Sequence, residues 1–180
     1  MIRQSIAEKP PGAVFSSADF LSVGTRAAVD QALLRMMRSG IIQRVARGLY
    51  AKSGEQVDAQ TIAYAVAQKT GERLGLAPSG DTNQLLVVPT SGLSRTVKSA
   101  GHTLQFRRMS QRKVQLAASP KGKVLLELWT RGIKDLTTLD IQHATGDWAE
   151  GETDNYVALI PAWLRTVIAQ ANAPRKSVKI

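Results

Sequence analysis

A change of hydrophobic period at Gly40 limits the first third of this chain to a small set of folds. Before it, Val29, Ala32, Leu33 and Met36 recur at i, i+3, i+4 and i+7, the stripe that one face of an α-helix buries. Thr25 is a good N-cap and Gly40 a C-terminal stop, so the spacing predicts a helix over 26–39. After Gly40, residues 41–45 and 48–52 read as two strand-like runs joined at Ala46-Arg47-Gly48, where Gly48 supplies the positive φ of a tight hairpin turn. Upstream, a short helix over 2–8 stops at Pro10-Pro11-Gly12 and residues 13–16 are extended. Ser17 is then placed to cap a second short helix over 18–23. Helix, short strand, helix, turn, helix and two-stranded ribbon follow in the order of a winged helix-turn-helix.

That order assigns roles to side chains. The major groove admits one helix, and short residues near its N-terminus let the backbone approach the bases. Thr25, Arg26, Ala27, Gln31 and Arg35 fall away from the apolar stripe and form the expected base-reading set. A Gln pairs with adenine through two hydrogen bonds and an Arg with guanine O6 and N7. Arg38, Arg44, Arg47 and Lys52 are the expected phosphate contacts, which add affinity and salt dependence without sequence information. The competing reading is a solvated amphipathic helix and hairpin, or a winged module that docks protein.

Charge distribution supports a polyanionic partner. The 180 residues carry 24 Lys and Arg against 14 Asp and Glu, a net +10. Residues 1–52 hold eight basic and three acidic side chains, and residues 95–134 hold ten and one. Residues 135–154 hold six acids and no Lys or Arg. Two basic blocks therefore flank a near-neutral stretch. The second, including Arg95, Lys98, Arg107, Arg108, Arg112 and Lys113, is a further candidate surface for DNA or for an acidic partner. With 43% hydrophobic and 21% charged residues, the composition is that of a folded protein.

The first block resembles a known family. Thr25-Arg26-Ala27-Ala28-Val29, then 33–42, then Arg44-Val45-Ala46-Arg47-Gly48-Leu49-Tyr50-Ala51 are similar to the winged helix of AbiEi-type antitoxins. These are the antitoxin and repressor partners in type IV abortive-infection toxin–antitoxin systems. The likeness is best over 13–52. It is looser beyond, at Pro78-Ser79-Gly80, at Pro89-Thr90-Ser91-Gly92 with Ser94-Arg95-Thr96-Val97, and at 103–108. The resemblance implies a repressor of its own operon whose second half neutralises a nucleotidyltransferase-like toxin.

Residues 53–180 read as α+β, after a boundary at Lys52-Ser53-Gly54-Glu55. The pattern predicts a helix over 58–75 and an antiparallel meander of strands at 85–90, 94–98 and 103–109, with 114–116 as a further edge. Helices over 124–131, 139–144 and after Pro161 follow, and residues from 173 form a basic tail. The three Trp residues serve as core anchors of this helical part.

Catalytic chemistry has little to stand on. There is no cysteine, which removes disulfides, thiolate metal sites and a cysteine nucleophile. Asp140, His143 and Asp147 are better explained by a helix surface than as metal ligands, and His102 by a turn. Ser110-x-x-Lys113 and Lys69-Thr70-Gly71 resemble parts of a serine acylase signature in the wrong order. No acidic residue is followed two positions later by Lys, and no phosphate-binding glycine loop is present.

The expectation is therefore an α+β protein with two domains: a winged helix-turn-helix over 1–52 and an α+β antitoxin-like domain with a small antiparallel sheet over 53–180. It is expected to be non-enzymatic, without cofactor or metal, and cytoplasmic, with no signal peptide or membrane span. Its expected partners are duplex DNA carrying an inverted repeat, with two protomers one helical turn apart, and a cognate toxin. The alternative is a protein-interaction adaptor or a stand-alone regulator.

Overall fold

The computed structural model describes residues 1–76, 85–99, 101–149 and 151–173. The chain is α+β and divides into two compact units, 1–109 and 110–180. The sequence likeness at Pro78-Ser79-Gly80 and the basic tail from 174 onward lie outside the described residues.

The first unit opens with helix α1 (Ile2–Ala7) and a 3-10 turn (Ser17–Phe20). Ser16, not Ser17, caps that turn, its hydroxyl accepting from Ala18 N–H while Asp19 accepts from Ser16 N–H. The predicted helix over 18–23 is thus a 3-10 segment over Ser17–Phe20 that runs on into turn residues at 21–23. Helix α2 (Arg26–Arg38) starts where Thr25 accepts from Ala28 N–H and buries Val29, Leu33 and Met36. Those side chains pack with Ile6, Phe15, Phe20 and Ile42 in one small core.

Strands β1 (Ile42–Ala46) and β2 (Leu49–Lys52) pair antiparallel around Gly48, whose φ is 70°. Phe15 adds a bridge to Tyr50, with both backbone hydrogen bonds made. The ribbon serves two cores. Ile42 belongs to the α2 side, whereas Val45, Leu49 and Ala51 pack with α3 (Ala59–Thr70) and a second sheet. The expected boundary after Lys52 therefore falls inside the first unit, where both flanks share that second core.

The second sheet consists of β3 (Leu85–Thr90), β4 (Arg95–Ser99) and β5 (His102–Arg108) in the order β3-β5-β4. It corrects the predicted meander: β3 pairs parallel with β5, and only β4 and β5 are antiparallel neighbours. Leu104 and Phe106 of the central β5 and Leu86 and Val88 of β3 are buried on the inner face of the sheet. Pro89 has no N–H to donate, which suits β3 to an edge. Adjacent strands lie about 4.8 Å apart, so the four residues 91–94 are enough to cross over β5.

In the second unit, α4 (Gln111–Leu116), α5 (Pro120–Arg131), α6 (Thr138–Thr145) and α7 (Ala162–Ala171) surround a core of Leu116, Leu125, Leu128, Ile141, Ile160, Leu164 and Ile168. The predicted edge strand at 114–116 is the end of α4. Its apolar pair Val114 and Leu116 is too short to separate period 2 from period 3.6. Ser119 caps α5 with Pro120 in the first turn, and Thr137 and Asp140 form a capping box on α6. Trp129, Trp148 and Trp163 are partly buried against this core.

Candidate nucleic-acid interface

The apolar stripe of α2 faces the core, so the opposite face is left to solvent. Thr25, Arg26, Ala27, Gln31, Arg35 and Arg38 are all exposed there. No acidic residue occupies the first turn of α2, so nothing neutralises the positive helix end. Arg26 donates to Asp30 one turn on at 3.2 Å, an exposed i,i+4 pair. Such a pair contributes at most about 1 kcal/mol and exchanges readily for another acceptor. Gln31, Arg35 and Arg38 have no side-chain partner among the described residues.

On the ribbon, Arg44 and Arg47 are exposed. The register shift between Arg44 and Ala46 marks a bulge, and Arg44 Nε donates to Ala46 O across it at 3.2 Å. At the tip, Lys69 from the last turn of α3 donates to Arg47 O at 2.9 Å. A Cβ on Gly48 would lie 2.6 Å from Lys69 Nζ, so the ammonium sits directly on the turn. Lys69 thus adds a cation to the ribbon tip that reading the sequence did not find. The signal available was only a basic residue at a helix C-terminus. Lys52 is drawn elsewhere: its Nζ donates to Lys9 O at 2.8 Å and pairs with Glu55 at 3.3 Å.

The second basic block is divided between the two units. Arg95 turns into the first unit, donating to both oxygens of Glu72 at 2.8 and 3.0 Å, with its guanidinium 4.4 Å from the Phe106 ring centre. Thr90 also donates to Glu72, at 2.8 Å. Burial opposes ionisation of Glu72, but the Arg95 guanidinium and the Thr90 and Thr70 hydroxyls hold its carboxyl below the usual glutamate range. Gly92 leaves room beside this pair, because a Cβ there would run into the Glu72 carboxylate and displace it from Arg95. Lys98, Arg107 and Arg108 remain exposed on the sheet strands. Arg112 and Lys113 belong to the other unit. There Arg112 donates to the carbonyls of Leu159 and Ile160, each at 3.1 Å, and Lys113 Nζ lies 4.8 Å from the Trp129 ring centre.

Asp140 is committed to helix capping. Hydrogen bonds from the Thr137 hydroxyl and backbone lower its carboxyl below the usual aspartate range against a small burial cost, and Arg131 adds attraction. Among the described residues no three His, Asp or Glu side chains are grouped to hold a metal, and no helix is long and apolar enough to cross a membrane.

Against known proteins, residues 1–146 match the model of a family of unknown function, DUF6088. No curated protein and no solved structure matches the chain.

Proposed function

Because the chain belongs to the DUF6088 family of unknown function, its activity has to be argued from its own surface, and we propose that it is a sequence-specific duplex-DNA-binding regulator. In this reading residues 1–52 act as a winged helix-turn-helix. Helix α2 enters the major groove and the β1–β2 ribbon lies along the adjacent backbone. The observation that carries it is the outward face of α2, where Gln31, Arg35 and Arg38 stand exposed and without side-chain partners among the described residues, above an apolar inner stripe. Gln31 and Arg35 read base edges. Arg38, Arg44 and Arg47 contact phosphates, Lys69 adds positive charge at the ribbon tip while its ammonium holds the Arg47 carbonyl, and Lys52 is excluded because Glu55 neutralises it.

The likeness of residues 44–51 to the antitoxin wing supports a narrower role: autorepression from an inverted repeat, coupled to neutralisation of a nucleotidyltransferase-like toxin. Two measurements test the two levels. Binding to fragments upstream of its own gene, titrated with salt against random duplex, is expected to give a specificity ratio well above unity. A ratio near one at every salt concentration overturns the regulator and favours a protein-docking adaptor. Coexpression with a neighbouring nucleotidyltransferase-like reading frame is expected to restore growth, and failure to do so removes the antitoxin role while leaving the regulator intact.

A further inference from the structure

The first unit holds a second place suited to an anion, lined by no residue of α2. The β1–β2 turn and the β4–β5 end border an open groove of about 630 Å³, lined by Arg44, Arg47, Lys98, Ser99, Gly101 and His102 among others. Three lining residues are cations, and no Asp or Glu lines the groove. None of the three has a carboxylate partner among the described residues. Exposed cations alone name no ligand, since water and salt screen them.

The floor is more telling. Ser99 and His102 face each other as a cross-strand pair at the end of β4 and β5. Ser99 is 6% exposed, and its Oγ and the Nδ1 of His102 are buried with no hydrogen-bond partner among the described residues. Buried polar side chains are nearly always satisfied, so two adjacent orphans under a cationic groove mark unmet hydrogen-bonding capacity where an anion would be drawn. A serine hydroxyl donates to an oxyanion, and an imidazole does so from its Nδ1–H tautomer.

We propose that this groove binds a phosphate group. Arg44, Arg47 and Lys98 supply its counter-charge, and Ser99 Oγ and His102 Nδ1 hydrogen-bond its oxygens after a side-chain rotation at each. The source of the phosphate rests on the DNA-binding reading: a phosphodiester of the duplex that α2 reads, held where the second sheet meets the ribbon. Its chemistry does not. Phosphate contact would then extend from the ribbon onto β4, a strand outside residues 1–52.

Two arms on the full-length protein separate these dependences. In the first, Lys98→Ala and Arg47→Ala are titrated with duplex across salt. Each is expected to flatten the slope of log K against log salt by about 0.9, and the double variant by about twice that. In the second, inorganic phosphate is added and the amide signals of Ser99 and Gly101 and the His102 ring signals are followed by NMR. Saturable shifts are expected, lost in Arg47→Ala/Lys98→Ala. Ser99→Ala is expected to weaken phosphate binding several-fold while its melting temperature stays the same or rises, as a purely structural serine would not allow.

A slope change in Lys98→Ala supports the groove as a backbone site whether or not free phosphate binds. If duplex binding is absent but the phosphate shifts saturate, the groove stands as a free-phosphate site and the DNA-binding reading falls. If duplex binds, Arg47→Ala flattens the slope, Lys98→Ala does not and phosphate shifts nothing, the groove is overturned and the DNA-binding reading survives. No duplex binding together with no phosphate shifts overturns both.

Discussion

Two stretches of this chain look alike in composition and behave oppositely in space. Residues 1–52 carry fewer basic side chains than residues 95–134. Yet Gln31, Arg35 and Arg38 of α2 and Arg47 of the ribbon have their charged or polar ends in solvent. In the richer block, Arg95 is spent on Glu72, Arg112 on two carbonyls, Lys121 on Glu152 and Arg131 on Asp140. Lys98, Arg107 and Arg108 are what remains exposed of its first part. Counting charges locates where a polyanion is attractive on average, whereas counting partners locates where one has something left to bind.

The sharpest way to break this contrast is to disturb a spent cation and an unspent one and compare the readouts. Glu72→Ala strands the part-buried Arg95 guanidinium. It is expected to cost the first unit about 2 kcal/mol, below the range for a fully buried pair because Arg95 keeps some solvent contact. Denaturant unfolding measures that loss, and an unchanged midpoint would show that Arg95 is not held as described. The same pair makes stability pH-dependent. A carboxyl whose ionisation is favoured in the folded state contributes stability above the ordinary glutamate range, and that contribution is lost as pH falls through the lowered value. Unfolding at neutral and acidic pH is expected to show this loss in the wild type and a smaller one in Glu72→Gln.

Next in size, Gln31→Ala or Arg35→Ala is expected to remove about 1–3 kcal/mol of discrimination at one base position with the fold intact, read by competition between point-mutated operators. Uniform weakening across all sequences would move these residues to the phosphate class. Arg112→Ala belongs to the spent set and is expected to cost the second unit about 1 kcal/mol with duplex affinity and its salt slope unchanged. A reduced slope in that variant would return the second block to the nucleic-acid surface. The smallest effect is expected from Glu152→Gln. Its carboxylate is lowered chiefly by the hydrogen bond from Lys121, and the melting temperature should barely move because the pair is screened at the surface.

The contrast also separates what was readable in the sequence from what was not. Helix α2 and the β1–β2 hairpin were readable because their determinants are local: Thr25 at the cap, the i, i+3, i+4, i+7 stripe, Gly48 at positive φ. The polar face of α2 followed from the same periodicity. The sheet order was not readable, since β3, β4 and β5 carry similar strand patterns and their pairing depends on packing partners distant in sequence. Arg95 read as surface for the same reason. Its partner Glu72 lies 23 residues earlier, across a glycine whose need is visible only when the carboxylate is in place. Ser99 and His102 are not legible as a pair, because a missing hydrogen bond has no signature in a string of letters.

The hydrogen bond from Lys69 to the carbonyl of Arg47 has a consequence for affinity in the proposed docking. It ties the backbone at the fingertip of the hairpin to the end of α3, so that the main chain carrying Arg47 is held before any partner of the proposed kind arrives. Less motion is then surrendered on docking, and more of the attraction survives as affinity. Neutralising that one ammonium, by substitution or by acetylation, would loosen the finger as well as discharge it, coupling shape and charge in a single side chain.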